Sequence, residues 1–577
     1  MIRKIICLAL YCSVATMLYA QPITTVFEKS KGAETPAYHE IIDWWKALDK
    51  RSALVQMRAM GPTDAGYPLH LITVSANGEH GIAAARKKGS TIILVNNGIH
   101  PGEPDGIDAS MLLVRDIVEK KYTLPPGVLL CIVPVYNIGG CLNRSPDYRV
   151  DQNGPAEFGS RGNSQNLDLN RDFIKADSKE ALSFAALFRL TDPDIFVDNH
   201  VSNGADYQHV MTLLSSQHNR IGGAMGEYLQ EKFEPALYAL MKQKGFDLVP
   251  YVNHWSDKKV EEGWQQFWDS PRYGSGYGTL WSSFSFVPET HMLKPYPQRV
   301  AATRALMESF ISYAAQHGTE IRRLRAAVRE ENKKAAYFPI RWQWDSTKQS
   351  SIRFLGYESG YKKSEVSGLP RLYYDRNKPY ERQIPFYNSY YPVDSVKAPL
   401  AYVLPQGWWK VVERLKANNV VMRPLQRDTI IEVEVYRIAQ YQAGGLYEGH
   451  YPLGKVEIKT SRQKISFRKG DWYIPMNQEA ARFLIETLEP QAEDSYFTWN
   501  FFDPILRQKE GFSDYAFEDI AAEYLRQHPE AGRQLEEARQ KDEKLAKSAY
   551  LQLQYVFRQS PYLEPGYMRY PVYRVTK

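Results

Sequence analysis

At 577 residues the chain is too long for a single hydrophobic core, and about two to four domains are expected. A hydrophobic share of 44% and a charged share of 24% describe an ordinary globular composition and argue against a disordered or fibrous chain. The net charge of +6 is spread along the sequence without a basic block, which argues against nucleic acid as a partner.

The chain opens on a targeting pattern. Arg3 and Lys4 precede an apolar run, Ile5 to Leu18, and small residues gather around Ala20. Those are the three regions of a secretory signal, residues 1–20, with cleavage after Ala20. Leu18 at the minus-three position is bulkier than such sites usually carry. No other apolar run approaches the roughly 20 residues of a membrane span. The mature protein is therefore expected to be soluble and exported, periplasmic or secreted. Loss of the signal removes Cys7 and Cys12 and leaves Cys131 and Cys141, too few for a cysteine zinc site. Cys131 sits in a strand pattern and Cys141 in the loop after it; they could bridge, but two buried thiols is the plainer expectation.

From there to about residue 330, strand and helix patterns alternate. Strands are expected near 91–95, 127–134, 194–198 and 282–288, and helices near 106–120, 178–190, 222–243 and 297–329. This predicts an α/β domain, residues 21–330, with a mixed, mostly parallel twisted sheet and helices on both faces.

The most informative stretch is TIILVNNGIHPGEPDGIDASMLLV, residues 91–114. An apolar strand ends in a Gly/Pro-rich loop carrying His100 and Glu103, and a helical pattern follows. An imidazole and a carboxylate three residues apart on a tight loop can converge on one cation, at the strand edge where open α/β sheets place ligands. The spacing alone proves little, since roughly one H-x-x-E is expected from background composition. A second copy, His317 and Glu320, closes a long helical pattern and reads as a solvated helix face.

Context supplies the weight. His200 lies two residues past the short strand DIFVD, and the alternating strand SFSFVPETH delivers Glu289. Two imidazoles and one carboxylate, with a fourth position for water, form a common catalytic zinc set. A lone strand-end histidine is more often structural, but four competent groups at the ends of three strands would each need a separate structural explanation. Between them lies NLDLNRDF, residues 166–173.

The order H-x-x-E, D-x-N-R, strand-end His and strand-end Glu resembles the carboxypeptidase A-type zinc peptidases, the funnelins, over roughly residues 35–325. The resemblance implies that His100, Glu103 and His200 bind one Zn2+. It implies that Asp168 accepts a hydrogen bond from His100, that Asn170 and Arg171 grip the substrate's terminal carboxylate, and that Glu289 is the general base. Arginine suits the carboxylate because its planar fork donates two parallel hydrogen bonds. A carbonyl-polarising arginine is expected among Arg144, Arg149 and Arg161; Arg161 is the first choice and Arg149 the second. The mobile tyrosine of the family maps to Tyr273 in preference to Tyr277. His291 matches no family role. The usual N-P-D-G turn is here N-I-G-G, Asn137 to Gly140, which blurs alignment of the loop after it.

The activity implied is zinc-dependent hydrolysis of a peptide bond at a free C-terminal residue. The same zinc set also serves deacylases and amidases acting on acyl-amino acids or cell-wall peptides, and a non-catalytic binding protein could reuse the fold. Degenerate ligands would mark the last, and none of the four positions is degenerate. Specificity is expected to reside in residues 250–285.

Beyond residue 330 the texture changes. RLYYDRNKPYERQIPFYNSYYPVD reads as extended and turn-rich, Ala398–Leu425 as strand-helix-strand, 428–475 as alternating strands, and much of 477–558 as charged helices. The run SYFTWNFFDPILRQKEGFSDYAFED is read as helices packing on the sheet. Residues 331–577 are thus expected to form an α+β region, of one or two subdomains, to which neither the residues nor the resemblance assigns a role.

Overall fold

A computed structural model describes residues 23–253 and 259–576. The expected signal, residues 1–20 with Cys7 and Cys12, lies outside the described residues.

The N-terminal half is built on a nine-stranded sheet. Its strands are β1 (Val55–Pro62), β2 (Pro68–Ser75), β3 (Thr91–Asn96), β4 (Val128–Val133), β5 (Ile195–Asp198), β6 (His200–Ser202), β7 (Met211–Ser215), β8 (Val249–Pro250) and β9 (Phe284–His291). The order is β1-β2-β4-β3-β5-β9-β7-β8, with β6 pairing on β9. The centre, β4-β3-β5-β9, is parallel; β1, β2 and the β7–β9 pairing are antiparallel. The sheet is mixed, as the alternation predicted.

Both faces of the parallel centre are covered, so β3 and β4 are buried at every position. Such strands read as continuous apolar runs instead of alternating ones. Ile93, Val95, Leu130 and Ile132 enter one core cluster, beneath α1 (Tyr38–Arg51), α2 (Asp105–Val118) and the long α5. Ile92, Leu94, Leu129 and Cys131 enter the other, beneath α3 (Lys179–Thr191). A further helix, α4 (Glu234–Gln243), covers the first face together with α5 (Tyr296–Lys334). Near the start of α5 the fully buried Arg299 donates to Asp105 at 3.0 Å, and Thr290 of β9 also donates to Asp105. This ties the first turn of α2 to the strand that carries Glu289. His317 is exposed on α5, and Glu320 pairs with Arg323, the solvated face expected. Cys131 and Cys141 are free and buried.

The second half adds strands β10 (Tyr337–Trp344), β11 (Ser350–Lys363), β12 (Pro370–Tyr387) and β13 (Tyr390–Lys397). The segment read as extended and turn-rich is extended over most of its length: β11 and β12 form a long hairpin whose base recruits Trp264–Gln265. A six-stranded sheet follows, built from β14 (Ala401–Leu404), β15 (Arg423–Pro424), β16 (Thr429–Ala443), β17 (Leu453–Phe467), β18 (Trp472–Pro475) and β19 (Tyr573–Val575). Helix α6 (Trp409–Ala417) and helix α7 (Ala481–Leu488) accompany it.

One reading is corrected. In SYFTWNFFDPILRQKEGFSDYAFED the first part is turns and a short 3-10 helix, Asp503–Leu506, and α8 (Asp514–Gln527) starts only near its end. Aromatic residues there mark burial without helix: Tyr496, Phe497, Trp499 and Phe502 are fully buried in irregular backbone. Helices α8, α9 (Pro529–Lys541) and α10 (Ala549–Gln559) pack chiefly on one another, around Phe517, Leu535 and Phe557.

The sequence boundary near 330 falls close to the end of α5 at Lys334. The second core cluster nevertheless runs straight across it, joining Phe184, Tyr277 and Trp281 to Tyr402, Phe483 and Tyr496.

Candidate metal centre and substrate cleft

Beyond β3 the backbone turns at Gly98, whose φ of +64° is one that L side chains rarely adopt. The Glu103 N–H then donates to the His100 carbonyl at 2.8 Å, closing a turn with both side chains at its ends. Gly102 sits inside that turn because a Cβ there would lie 2.6 Å from Arg149 Cδ and 2.8 Å from the Gly159 carbonyl. His100 and Glu103 are consequently buried, at 2% and 3% exposure.

His200 arrives on β6, which pairs with β9 so that His200 and Glu289 lie opposite one another. His100, Glu103 and His200 each offer a ligand atom, all within 4.8 Å of one another. His200 Nδ1 lies 3.0 Å from Glu103 Oε2, and His100 Nδ1 lies 3.3 Å from Glu103 Oε1. His100 Nδ1 is buried without a hydrogen-bond partner. A buried nitrogen lone pair beside a carboxylate is what a divalent cation would satisfy, and the mixed N/O set suits zinc. The far side of each ring is held: His100 Nε2 donates to Asp168 Oδ1 at 2.9 Å, and His200 Nε2 lies 3.3 Å from Asp198 Oδ2. Such outer partners leave Nδ1 as the ligating face.

Asp168 also opens the D-x-N-R turn, accepting from the Asn170 N–H at 2.9 Å. Asn170 and Arg171 thereby face the cleft, and the Arg171 guanidinium stacks over the Tyr273 ring at 4.6 Å. The cleft measures about 470 Å³ and is lined by His100, Glu103, His200, Glu289, Asn170, Arg171, Tyr273 and both Arg149 and Arg161. Arg149 is committed, donating to Glu103 at 2.8 Å and to the Val201 carbonyl at 3.3 Å. Arg161 is half exposed and pairs with Asp168 at 2.9 Å. Arg144 lies elsewhere, bound to the Thr35 and Pro36 carbonyls. Tyr277 is also away from the cleft, buried and donating to Asn418 at 2.6 Å. In the N-I-G-G departure, Asn137 accepts from the Gly140 N–H and donates to the Arg161 carbonyl at 3.0 Å, tying that segment down.

Residues 41–211 match the family model described as zinc carboxypeptidase. In this segment the chain is similar to zinc carboxypeptidases. Among solved structures, the chain is similar to the carboxypeptidase A of Helicoverpa armigera, at 14% identity and a TM-score of 0.36, covering 49% of this chain and 74% of that one. It is similar to the metallo-carboxypeptidase of Burkholderia cenocepacia, at 16% identity and a TM-score of 0.35, covering 48% and 69%. The metallo-carboxypeptidase of Pseudomonas aeruginosa gives 16% and 0.35, covering 49% and 68%. No curated protein sequence matches the chain.

Electrostatics in the cleft separate the carboxyl groups. Burial raises the Glu289 pKa to about 8; His200 opposes the shift and Glu103 adds to it. A cation at the ligand trio would draw it back down, since a nearby positive charge favours the ionised form. Burial also works against the charge on Asp168, but His100, then Arg161 and Arg171, hold that carboxyl far below its ordinary range. Without a cation Glu289 thus holds its proton at neutral pH, whereas Asp168 stays charged.

Several cleft residues have no motif to announce them. Asp198, the partner of His200, reads in sequence only as the last residue of a strand. Tyr251 and Phe267 line the cleft from the 250–285 segment, and Leu214 and Val287 from β7 and β9. His291 is no ligand: its Nε2 donates to the Ala205 carbonyl at 2.7 Å.

Proposed function

We propose that the protein is a zinc metallocarboxypeptidase that removes a C-terminal residue from a peptide bearing a free carboxylate. The observation that carries the reading is the shared cleft: the His100–Glu103–His200 trio, Glu289, and the Asn170–Arg171–Tyr273 group all open onto one cavity.

His100, Glu103 and His200 would hold the metal. Zinc, when bound, polarises the scissile carbonyl and lowers the pKa of water at the site to about 7. Glu289 takes the proton from that water and passes it to the leaving amine, acting first as general base and then as general acid. Arg161 donates to the carbonyl oxygen; its half exposure leaves donors free, whereas those of Arg149 are bound up. Asn170 and Arg171 bind the terminal carboxylate, and Tyr273 flattens against Arg171 to present the guanidinium edge. Asp168 fixes the His100 tautomer.

The signal at residues 1–20 supports export, and peptides outside the cell or in its wall are then the accessible substrates. A panel decides the reading: peptides, their C-terminal amides, N-acyl-amino acids and wall peptides, each with and without chelator. Release of C-terminal residues from free acids only, abolished by chelation, is the expected result. Cleavage confined to acyl-amino acids or wall peptides would establish the deacylase or amidase alternative. Hydrolysis unchanged by exhaustive chelation would end the metal mechanism.

A further inference from the structure

Among the described residues, none beyond Glu289 lines the cleft of the ligand trio, yet the second half grips both of its substrate-side walls. On one wall, the N–H of Asp168 donates to Glu448 Oε2 at 2.8 Å. Glu448 occupies the turn between β16 and β17 with a φ of +48°, and its neighbour Tyr447 stacks on Trp499 with ring planes 24° apart. On the other wall, Asp494 accepts from the Arg272 N–H at 2.8 Å, and its second oxygen pairs with the Arg272 guanidinium at 2.7 Å. That guanidinium also lies over the Trp499 and Tyr447 rings, at 5.0 and 5.9 Å. Arg272 immediately precedes Tyr273, which stacks on Arg171. A continuous path of contacts therefore leads from Tyr273 through Arg272, Tyr447 and Glu448 to Asp168, and it closes across the cleft through Arg171.

Taking the carboxypeptidase reading as its basis, we propose that Asp494 and Glu448 are positioning residues of the cleft. They hold Tyr273 and the Asp168–Arg171 turn at the separation that lets Arg171 grip a substrate carboxylate. Asp494 engages its neighbour at two points, one of them the peptide N–H, so it fixes the backbone leading into Tyr273 as well as a side chain. It is 1% exposed, so solvent and salt screen the pair little. Glu448 does the same for the opposite wall through one backbone bond. Neither touches substrate; both act through residues that do.

A general stabilising contact would lower thermal stability without selecting among substrates. Positioning of a carboxylate grip makes a narrower claim. The test uses the full chain with Asp494→Ala, Asp494→Asn and Glu448→Ala, assayed for hydrolysis of one peptide as free acid, with its C-terminal amide as a competitive inhibitor. Zinc content and hydrogen exchange of residues 264–276 are measured alongside. For Asp494→Ala, KM for the free acid should rise by about tenfold or more while kcat stays within about threefold, the mark of lost binding that is uniform between ground and transition state. The inhibition constant of the amide and the zinc content should not change, and exchange over 264–276 should rise. Asp494→Asn, which keeps an acceptor for the Arg272 N–H, should recover part of the loss.

Equal shifts in the free-acid KM and the amide inhibition constant in a folded variant would overturn the proposal, as would a folded variant with unchanged KM and unchanged exchange. Should Asp494→Ala fail to fold, Glu448→Ala meets the same criteria with exchange over 163–175, and Asp494→Asn must shift in the same direction by a smaller factor. A wild-type protein that treats acid and amide alike would defeat the carboxypeptidase reading instead. Exchange over 264–276 would then decide the positioning claim by itself, and no change there would overturn it.

Discussion

Glu289 and His200 face one another in register on adjacent parallel strands, so base and ligand are spaced by the backbone ladder itself. Side-chain changes at either position should leave the other in place. Glu289→Gln keeps the shape and removes the proton acceptor. We expect it to bind zinc at the wild-type stoichiometry and to lose about two to four decades in kcat, the usual weight of a general base. Metal analysis together with steady-state kinetics checks this, and near-normal turnover would remove Glu289 from the role.

Metal removal should cost stability as well as activity. The trio is buried, and without a cation His100 Nδ1 has no partner. A ligand that binds only the folded state contributes RT ln(1 + [L]/Kd), about 4 kcal/mol at a thousandfold excess over Kd. Chelated protein should therefore melt lower than zinc-loaded protein, and readdition of zinc should restore both melting temperature and hydrolysis. Identical thermal scans for the two forms would count against a metal at this site.

Asp168 serves three partners at once: His100, the Asn170 N–H and Arg161. Replacing it with alanine releases the His100 ring and the D-x-N-R turn together. Outer-shell carboxylates of this kind are worth about 10 to 100-fold in metal affinity or activity. Asp168→Ala should weaken zinc by that factor in a chelator-competition titration; an unaltered zinc Kd would show that His100 needs no orienting partner.

The metal half of the site was legible in sequence because each ligand follows a strand and the chain supplies a turn signal just after it. His100 and Glu103 lie in a Gly/Pro loop between an apolar run and a helical pattern, and that setting separates them from His317 and Glu320. The sheet was legible for the same reason, since buried parallel strands appear as unbroken apolar runs. Three things were not legible. Asp198 looks like any strand-end residue, and nothing in its sequence setting marks it as the partner of His200. Tyr251 and Phe267 are aromatics among many, brought to the cleft by long-range packing. Asp494 and Glu448 lie more than 200 residues from the walls they hold, in a region whose aromatic content signals burial but not what is buried against what. The same ambiguity explains the misread run after Ser495, where aromatic density marked core and was taken for helix.

A buried acid away from the centre gives a pH prediction. Asp108 on α2 is fully buried; Thr35 donates to its Oδ2 at 2.6 Å and Tyr296 donates to the same oxygen, while Oδ1 has no partner. Burial is the main reason that its pKa rises from 3.8 to about 7. The folded state therefore holds a proton that the unfolded state releases, so the stability it contributes is full below about pH 4 and is lost as pH rises to about 7. Asp108→Asn keeps an acceptor for both hydroxyls and cannot ionise. Relative to wild type it should gain on the order of a few kcal/mol between pH 4 and pH 8. Denaturant melts at the two pH values measure the difference, and a constant gap would mean that Asp108 is already ionised in the acid range.

The boundary near residue 330 makes a tempting place to cut, and the packing argues against it. Residues 23–334 alone would bare the face formed by Phe184, Tyr277 and Trp281, which the intact protein covers with Tyr402, Phe483 and Tyr496. Trp281 stacks on Phe483 at 5.1 Å, and each large side chain uncovered in this way forfeits about 1.5–3 kcal/mol. Arg220, 3% exposed, would lose Glu486, its buried carboxylate partner at 2.7 Å. Breaking such a pair from one side costs about 3–5 kcal/mol because the remaining charge stays buried. These losses together rival the 5–15 kcal/mol that holds a typical domain folded. The fragment should accordingly be insoluble or lack a cooperative thermal transition, read from its partition into the soluble fraction and from circular dichroism. A soluble fragment with a sharp transition and full activity would make the second half an accessory, and would take the positioning role of Asp494 and Glu448 with it.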